Sequence, residues 1–296
     1  MTRLRLATPA QIATVAALLT ALVGLPAAHA EIGRTRALGP APTIEKKKRD
    51  FASPQWFAFE LKFGPYSPEI DSAPGVGAPY AELFGSVQTK DGVTSLKQPK
   101  AQLLTEIEFD VQLLKKVGTL GLGLNVGFFR NSAKGFRYPD GMGNASCDPL
   151  VGAGCTRSGD RTALNVLPVA LLAVYRFDYL AKRWRVPLVP YAKIGLGYAF
   201  WWIEGGGGAR DIATANIGGK TQKGAGGTWG WTARPGLAFQ LDVIDPPTAR
   251  TMDSELGINH AYLFAELNYM DYSGFGQKNR MRLTDLTYSI GLAFEF

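Results

Sequence analysis

Leu286-Thr-Tyr-Ser-Ile-Gly-Leu-Ala-Phe-Glu-Phe296 is the stretch on which the fold turns. Leu286, Tyr288, Ile290, Leu292, Phe294 and Phe296 share one parity, and Thr287, Ser289, Gly291, Ala293 and Glu295 share the other. A period of two predicts a β-strand with one apolar face and one polar or small face. Terminal residues usually fray. A strand of this quality at a terminus needs a sheet to close, and the chain upstream is expected to supply it.

Seven upstream segments repeat the pattern. Phe57, Phe59, Leu61 and Phe63 alternate with Ala58, Glu60 and Lys62; Leu103 to Val111 alternates with Leu104, Glu106, Glu108, Asp110 and Gln112. The same holds for Leu120–Phe128, Leu167–Phe177, Ile194–Trp202, Trp229–Leu241 and Ala261–Tyr269. Long loops are expected over Gly64–Gln98, Arg130–Arg161 and Gly205–Gly227, with a more modest one at Ser273–Lys278. Within the first of these, Tyr80–Val87 is expected to extend a strand edge. The intervening connections read as turns: Lys115–Gly118, the basic Lys182–Arg185, and a longer Val243–Gly257 containing Pro246-Pro247. Strands of about ten residues, in even number, with long loops on one edge and short turns on the other, follow the plan of a transmembrane β-barrel.

Composition supports β-structure. The 296 residues include 35 glycines and 11% aromatics, and mean hydropathy is −0.02, unlike a helical membrane protein. Residues 1–30 read as a secretory signal peptide: Arg3 and Arg5, an apolar core from Ile12 to Leu25, and a small-x-small cleavage site ending at Ala30. Residues 31–53 read as a basic periplasmic linker, leaving 54–296 for the barrel. The formal charge of +7 resides mostly in the first fifty residues, and only +2 falls on the remainder. A nucleic-acid partner is therefore not expected. Downstream of the signal, the longest apolar run, Ala163–Tyr175, is broken by Asn165 and Pro168 and is too short for a membrane helix.

A soluble eight-stranded barrel would alternate too. Its solvent face would be rich in Lys, Glu, Thr and Gln. Here the less apolar parity is often Gly or Ala, as at Gly121, Gly123, Gly195, Gly197, Ala199, Gly236, Ala238, Gly291 and Ala293. Small side chains suit a crowded lumen, and the long apolar parity, nearly free of charge, suits lipid. Tyr191, Trp202, Trp229, Trp231, Tyr269 and Phe296 lie near strand ends, where aromatic girdles are expected. The expected fold is all-β: an eight-stranded antiparallel up-and-down transmembrane β-barrel.

The closing strand resembles the carboxy-terminal assembly signal of bacterial outer-membrane barrels. Tyr288, Ile290, Leu292, Phe294 and Phe296 match it at every second position. In loop lengths and texture, residues 54–296 resemble the small OmpA/OmpX-type barrels. They are also similar to a myxobacterial family of eight-stranded outer-membrane proteins with no established activity. The resemblance implies an outer-membrane location, contact with outer-membrane lipids and lipopolysaccharide, and insertion by the barrel-assembly machinery. A monomer is expected.

The inward parity carries Glu60, Lys62, Glu106, Glu108, Asp110, Arg176, Lys193, Arg234, Glu266 and Glu295. Charges in a narrow interior must meet opposite charges. They read as a plug of ion pairs, with a gated polar pore as the alternative. An enzyme would need a proton-moving residue, and His260 is the one histidine downstream of residue 30. It begins a strand at the short-turn edge, with no serine evidently paired to it. Cys147 and Cys155 enclose seven residues of the second long loop and are expected to form a disulfide. Gly205–Gly208 and Gly224–Gly227 lack the Lys-Ser/Thr of a phosphate loop, and the scattered acidic loop residues fit no calcium loop. No cofactor or metal is expected. The expected role is structural or adhesive, presenting four loops. A narrow channel for small solutes is the alternative, and a lipid-modifying enzyme comes third.

Overall fold

The computed structural model describes residues 55–72, 77–90, 93–115, 118–137, 156–184, 186–205, 211–217, 219–277 and 280–296. The signal peptide, the basic linker and the Cys147–Cys155 pair lie outside them. In chain order the elements are β1 (Phe57–Tyr66), α1 (Pro79–Phe84), β2 (Ser86–Lys90), β3 (Val93–Lys97), β4 (Gln102–Leu114), β5 (Thr119–Arg137), β6 (Thr156–Arg176) and α2 (Tyr179–Trp184). They continue with β7 (Leu188–Glu204), β8 (Thr214–Ile217), β9 (Lys220–Lys223), β10 (Ala225–Gln240), α3 (Pro246–Leu256), β11 (His260–Asp271) and β12 (Asp285–Glu295). No helix among the described residues is long and apolar enough to cross a membrane.

Eight strands close on themselves in the order β1-β12-β11-β10-β7-β6-β5-β4, every pair antiparallel. The seam is β1 against β12, with Phe59 opposite Phe294 and Lys62 opposite Gly291. The last residue is tied in as well: Phe296 N–H donates to the Phe57 carbonyl at 2.9 Å, and a Phe296 oxygen accepts from Trp56 N–H at 2.7 Å. Closure leaves no sheet edge with unpaired amides, which a hydrocarbon environment requires. The parity read from the sequence is the parity of the barrel. Ser289, Gly291, Ala293 and Glu295 are buried, while their even-numbered neighbours face outward. Gly291 is needed for close approach: a Cβ there would collide with the Leu61 carbonyl and lie 2.6 Å from the Phe264 ring.

The exterior is aliphatic at mid-height and aromatic above and below. Ile194, Leu196 and Leu171 are each about 60% exposed, at 59%, 62% and 59%. Trp56, Tyr179 and Trp184 are exposed at the end where β1 begins and β12 finishes, and the Lys115 Nζ sits 5.1 Å above the Trp56 ring. Trp202, Trp229, Trp231 and Tyr269 lie on the outward parity, but Tyr191 does not belong to a girdle. It follows the inward parity of Lys193 and is buried.

Other expectations require correction. Tyr80–Val87 is not a strand edge: Pro79–Phe84 is helical, followed by the β2–β3 hairpin. Pro79 at the first turn and the Asp71 carboxylate, which accepts the Tyr80 and Ala81 amides at 2.8 and 2.9 Å, favour the helix. β5 and β6 run 19 and 21 residues, so both ends of the loop expected from Arg130 to Arg161, through Arg137 and from Thr156, are paired strand. A second hairpin, β8–β9, interrupts the glycine-rich loop. α2 runs into the turn expected at Lys182–Arg185, and the Val243–Gly257 turn contains α3. Asp245 caps α3 by accepting from the Thr248 amide, and Gly257 ends it in the left-handed region at φ 70°.

An arginine at mid-belt tests what the exterior faces. Ile194→Arg is expected to cost about 2–4 kcal/mol in lipid vesicles, whereas Gln222→Arg on the β8–β9 hairpin should shift stability by less than about 0.5 kcal/mol. Urea unfolding in vesicles measures both; equal effects would contradict a lipid-facing belt.

Candidate functional site: the charged lumen

Inward positions on seven strands converge at the lower half of the barrel, on the side where β1 begins and β12 finishes. β1 contributes Glu60 and Lys62, β4 contributes Glu106, Glu108 and Asp110, and β6, β7, β10, β11 and β12 add Arg176, Lys193, Arg234, Glu266 and Glu295. All are buried, and Lys62 and Arg234 are 0% exposed. Register places like charges side by side: Glu60 is opposite Glu108, and Lys193 is opposite Arg234. Such rows are tolerable only if charges from across the lumen interleave, and they do.

Lys193 Nζ bridges Glu60 Oε2 at 2.5 Å and Glu108 Oε1 at 2.6 Å. Lys62 Nζ takes the other Glu108 oxygen at 2.6 Å and Glu266 Oε1 at 3.2 Å. Arg176 spans Glu60 at 2.7 Å and Asp110 at 2.5 Å, and Arg234 meets Glu106 at 2.9 Å. Every residue expected in the lumen lies in this one connected set.

Four cations face six carboxylates, so the set carries surplus negative charge. Neutral donors meet part of it. Asn125 and Asn268 donate to Glu106 at 2.7 and 3.3 Å, while Tyr191 and Ser289 donate to Glu266 at 3.1 and 3.0 Å. Gln112 and Tyr262 each donate to Glu295 at 3.0 Å. These partners are the part that charge counting misses. Tyr191 and Tyr262 share parity with Lys193 and Glu266, which is the signal that could have found them.

Glu60, Glu108 and Asp110 bring carboxylate oxygens within 4.8 Å of one another, a spacing a metal ion could use. Lys193 already bonds the first two, and Arg176 bonds Glu60 and Asp110. The protein's own cations meet the Glu60 and Glu108 oxygens and Asp110 Oδ2, while Asp110 Oδ1 is buried without a hydrogen-bond partner.

The upper half of the lumen is apolar. Tyr66, Leu104, Phe129, Leu164, Val166, Met270, Tyr272 and Leu283 form a buried cluster that also takes in Tyr80 of α1. Tyr66 stacks edge-on against Phe129 at 4.8 Å and donates its hydroxyl to the Leu283 carbonyl at 2.9 Å. Tyr80 receives a hydrogen bond from Asn131 at 2.9 Å, and burial pushes its phenol up to about 12. At the lower mouth, a cavity of about 10 Å³ lies among Glu60, Arg176, Tyr191, Tyr262, Phe264 and Glu295. That is room for about one water molecule.

His260 sits at the lower rim. Its Nδ1 lies 2.5 Å from Asp242 Oδ2, which also accepts from Gln240 at 2.8 Å, while Asp242 Oδ1 accepts from the Ala261 amide at 3.2 Å. Burial opposes ionisation of Asp242, but the bonds from His260, Gln240 and Ala261 outweigh it and hold the carboxyl below its ordinary range. The arrangement ties the β10 end to the start of β11.

No protein-family model matches the chain, and no characterised protein matches it in sequence. Among solved structures it is similar in form to Ail, the attachment invasion locus protein of Yersinia pestis solved with the heparin analogue sucrose octasulfate. That likeness has 10% identity and a TM-score of 0.37, over 82% of this chain and 100% of that one. OprG of Pseudomonas aeruginosa matches at 13% identity and TM-score 0.42, over 82% of this chain and 96% of that one. The N-terminal β-barrel domain of Pseudomonas aeruginosa OprF matches at 12% and 0.32, over 82% and 100%. The chain's own strand order and inverted burial pattern make it an eight-stranded membrane β-barrel.

Two substitutions test the charge balance. Arg176→Met leaves Glu60 and Asp110 without their shared cation and is expected to cost about 3–5 kcal/mol. Asp110→Asn relieves surplus negative charge while keeping an acceptor for Arg176, and is expected to change stability by less than about 1 kcal/mol. Urea titrations of both in the same micelle would reveal a reversed order if the balance is misread. At the rim, the depressed Asp242 carboxyl contributes stability above the unfolded aspartate value and loses it as pH falls through the folded one. Asp242→Asn should therefore melt below the wild type at neutral pH, the gap closing below about pH 4. A gap independent of pH would exclude that role for the ionised carboxylate.

Proposed function

We propose that the protein is exported, freed of its signal peptide after Ala30, and inserted in the outer membrane as a monomeric, non-conducting barrel. In this reading both termini lie in the periplasm, and residues 31–53 form a basic tether there. The assembly machinery reads Tyr288, Ile290, Leu292, Phe294 and Phe296, whose side chains line the outer face of β12. The barrel serves as a structural or surface-interaction scaffold. At the outer end it presents the α1 segment with the β2–β3 hairpin, the tall β5–β6 hairpin, the β8–β9 hairpin and the β11–β12 connection.

One observation carries the plugged reading. The lumen is filled along its height, by the ion-pair network below and the apolar cluster under α1 above, with about 10 Å³ at the lower mouth. A narrow solute channel would need a continuous polar path, and the apolar cluster interrupts it. Catalysis is not part of the proposal, because His260 and Asp242 are used in joining β10 to β11 at the periplasmic rim.

Planar-bilayer recording of the purified full-length mature protein tests this. The wild type is expected to give no stable ohmic steps at neutral pH. Reproducible unitary conductance would overturn the plug and restore the channel.

A further inference from the structure

On the outer wall of the barrel, the outward row of β7 changes character along its length. Leu188, Ala192, Ile194 and Leu196 give way to Tyr198, Phe200 and Trp202. On β10 the partner of Tyr198 is Trp229, 59% exposed, its ring 5.0 Å from the tyrosine and nearly perpendicular. A change from aliphatic to aromatic side chains marks the head-group level of a membrane.

A cleft of about 130 Å³ opens at this level, lined by Tyr198, Gly227, Trp229, Gly274, Phe275, Gln277 and Arg280. Two features make it look built. Gly227 occupies an outward position where any Cβ would collide with the Tyr198 ring, so the ring lies across the strand only because that residue is glycine. Above it, Gly274, Phe275 and Gly276 are successive left-handed residues at φ 68°, 54° and 80°. Phe275 is the one non-glycine residue with positive φ among the described residues. A left-handed aromatic is strained by about 1–3 kcal/mol, and this one is 63% exposed, so no burial within the chain offsets it. The turn holds Phe275 over the cleft beside the exposed Arg280.

We propose that this cleft is a lateral binding site for a phosphate-bearing lipid of the outer leaflet. The guanidinium of Arg280 takes the phosphate, and the first part of an acyl chain lies against Tyr198, Trp229 and Phe275. Continuity with the apolar belt, a cation at head-group height and an aromatic wall favour a lipid over a soluble ligand. The site rests on the outer-membrane reading and adds a particular lipid class and position to it.

The test uses the folded mature barrel in detergent, with bisphosphorylated lipid A as the probe and its dephosphorylated form and inorganic phosphate as comparisons. Native mass spectrometry should show one retained lipid A. Arg280→Gln should cut retention about tenfold, and Phe275→Gly should weaken lipid A and the dephosphorylated lipid alike. Inorganic phosphate should not compete at equal concentration. Equal retention of lipid A by the wild type and both variants would overturn the site, and so would full competition by phosphate, which would indicate an ionic contact alone. Heat-modifiable insertion into phosphatidylcholine vesicles, run in parallel, separates the two readings. A barrel that inserts but shows no phosphate preference refutes only the site, whereas one that fails to insert refutes the membrane reading itself.

Discussion

The structure depends on one constraint: ionised side chains packed in a closed barrel with no bulk water must neutralise one another there. A lone buried charge costs several kcal/mol after relaxation. Lys193 and Lys62, each shared between carboxylates from different strands, answer that constraint. Because Glu60, Glu108, Lys193 and Glu266 come from β1, β4, β7 and β11, their bonds run across the barrel as well as around it. A slip of one residue in any of these strands would turn its charges into lipid and its apolar row into the lumen. The network thus helps specify register, which backbone hydrogen bonding alone does poorly.

The same constraint explains the division of the lumen into two halves. Surplus carboxylate charge in the lower half is met by phenols, amides and a serine hydroxyl reaching in from neighbouring inward positions. Among the described residues the upper half of the lumen has no ion-pair network: Tyr66, Leu104, Phe129, Met270 and Leu283 fill it by packing, and α1 brings Tyr80 onto the top. Ordinary protein-core packing above and ion pairing below fill the barrel interior by two independent means.

Much of this was legible in the sequence, because period-two alternation does not depend on tertiary context. The parity of Leu286–Phe296, and of Glu60 and Lys62 against Phe59 and Leu61, carries over unchanged. Partner identities were not legible, since Lys193 reaches Glu60 across 133 positions of chain. The upper ends of β5 and β6 were hidden for a different reason. Above the membrane level the outward row no longer needs apolar residues, so Ser132, Lys134 and Arg161 break the alternation while the backbone ladder continues. Tyr191 sits near a strand end, the signal of a girdle, but it shares parity with Lys193, and parity decides that it faces inward. The α3 helix carries its own signals, Asp245 followed by Pro246-Pro247 and then Gly257, but two adjacent prolines equally suit a turn.

Chemical access to the lumen lysines tests the central claim most directly. The folded barrel in detergent would be exposed to a small water-soluble amine reagent, and labelling at each lysine followed by peptide mass spectrometry. Lys62 and Lys193 are both fully enclosed and ion-paired, whereas Lys220 and Lys223 are exposed on the β8–β9 hairpin. The account predicts that Lys220 and Lys223 label promptly while Lys62 and Lys193 stay unmodified until the barrel unfolds. Labelling of Lys193 in the folded barrel at the rate of Lys220 would mean a wet, open lumen and contradict it.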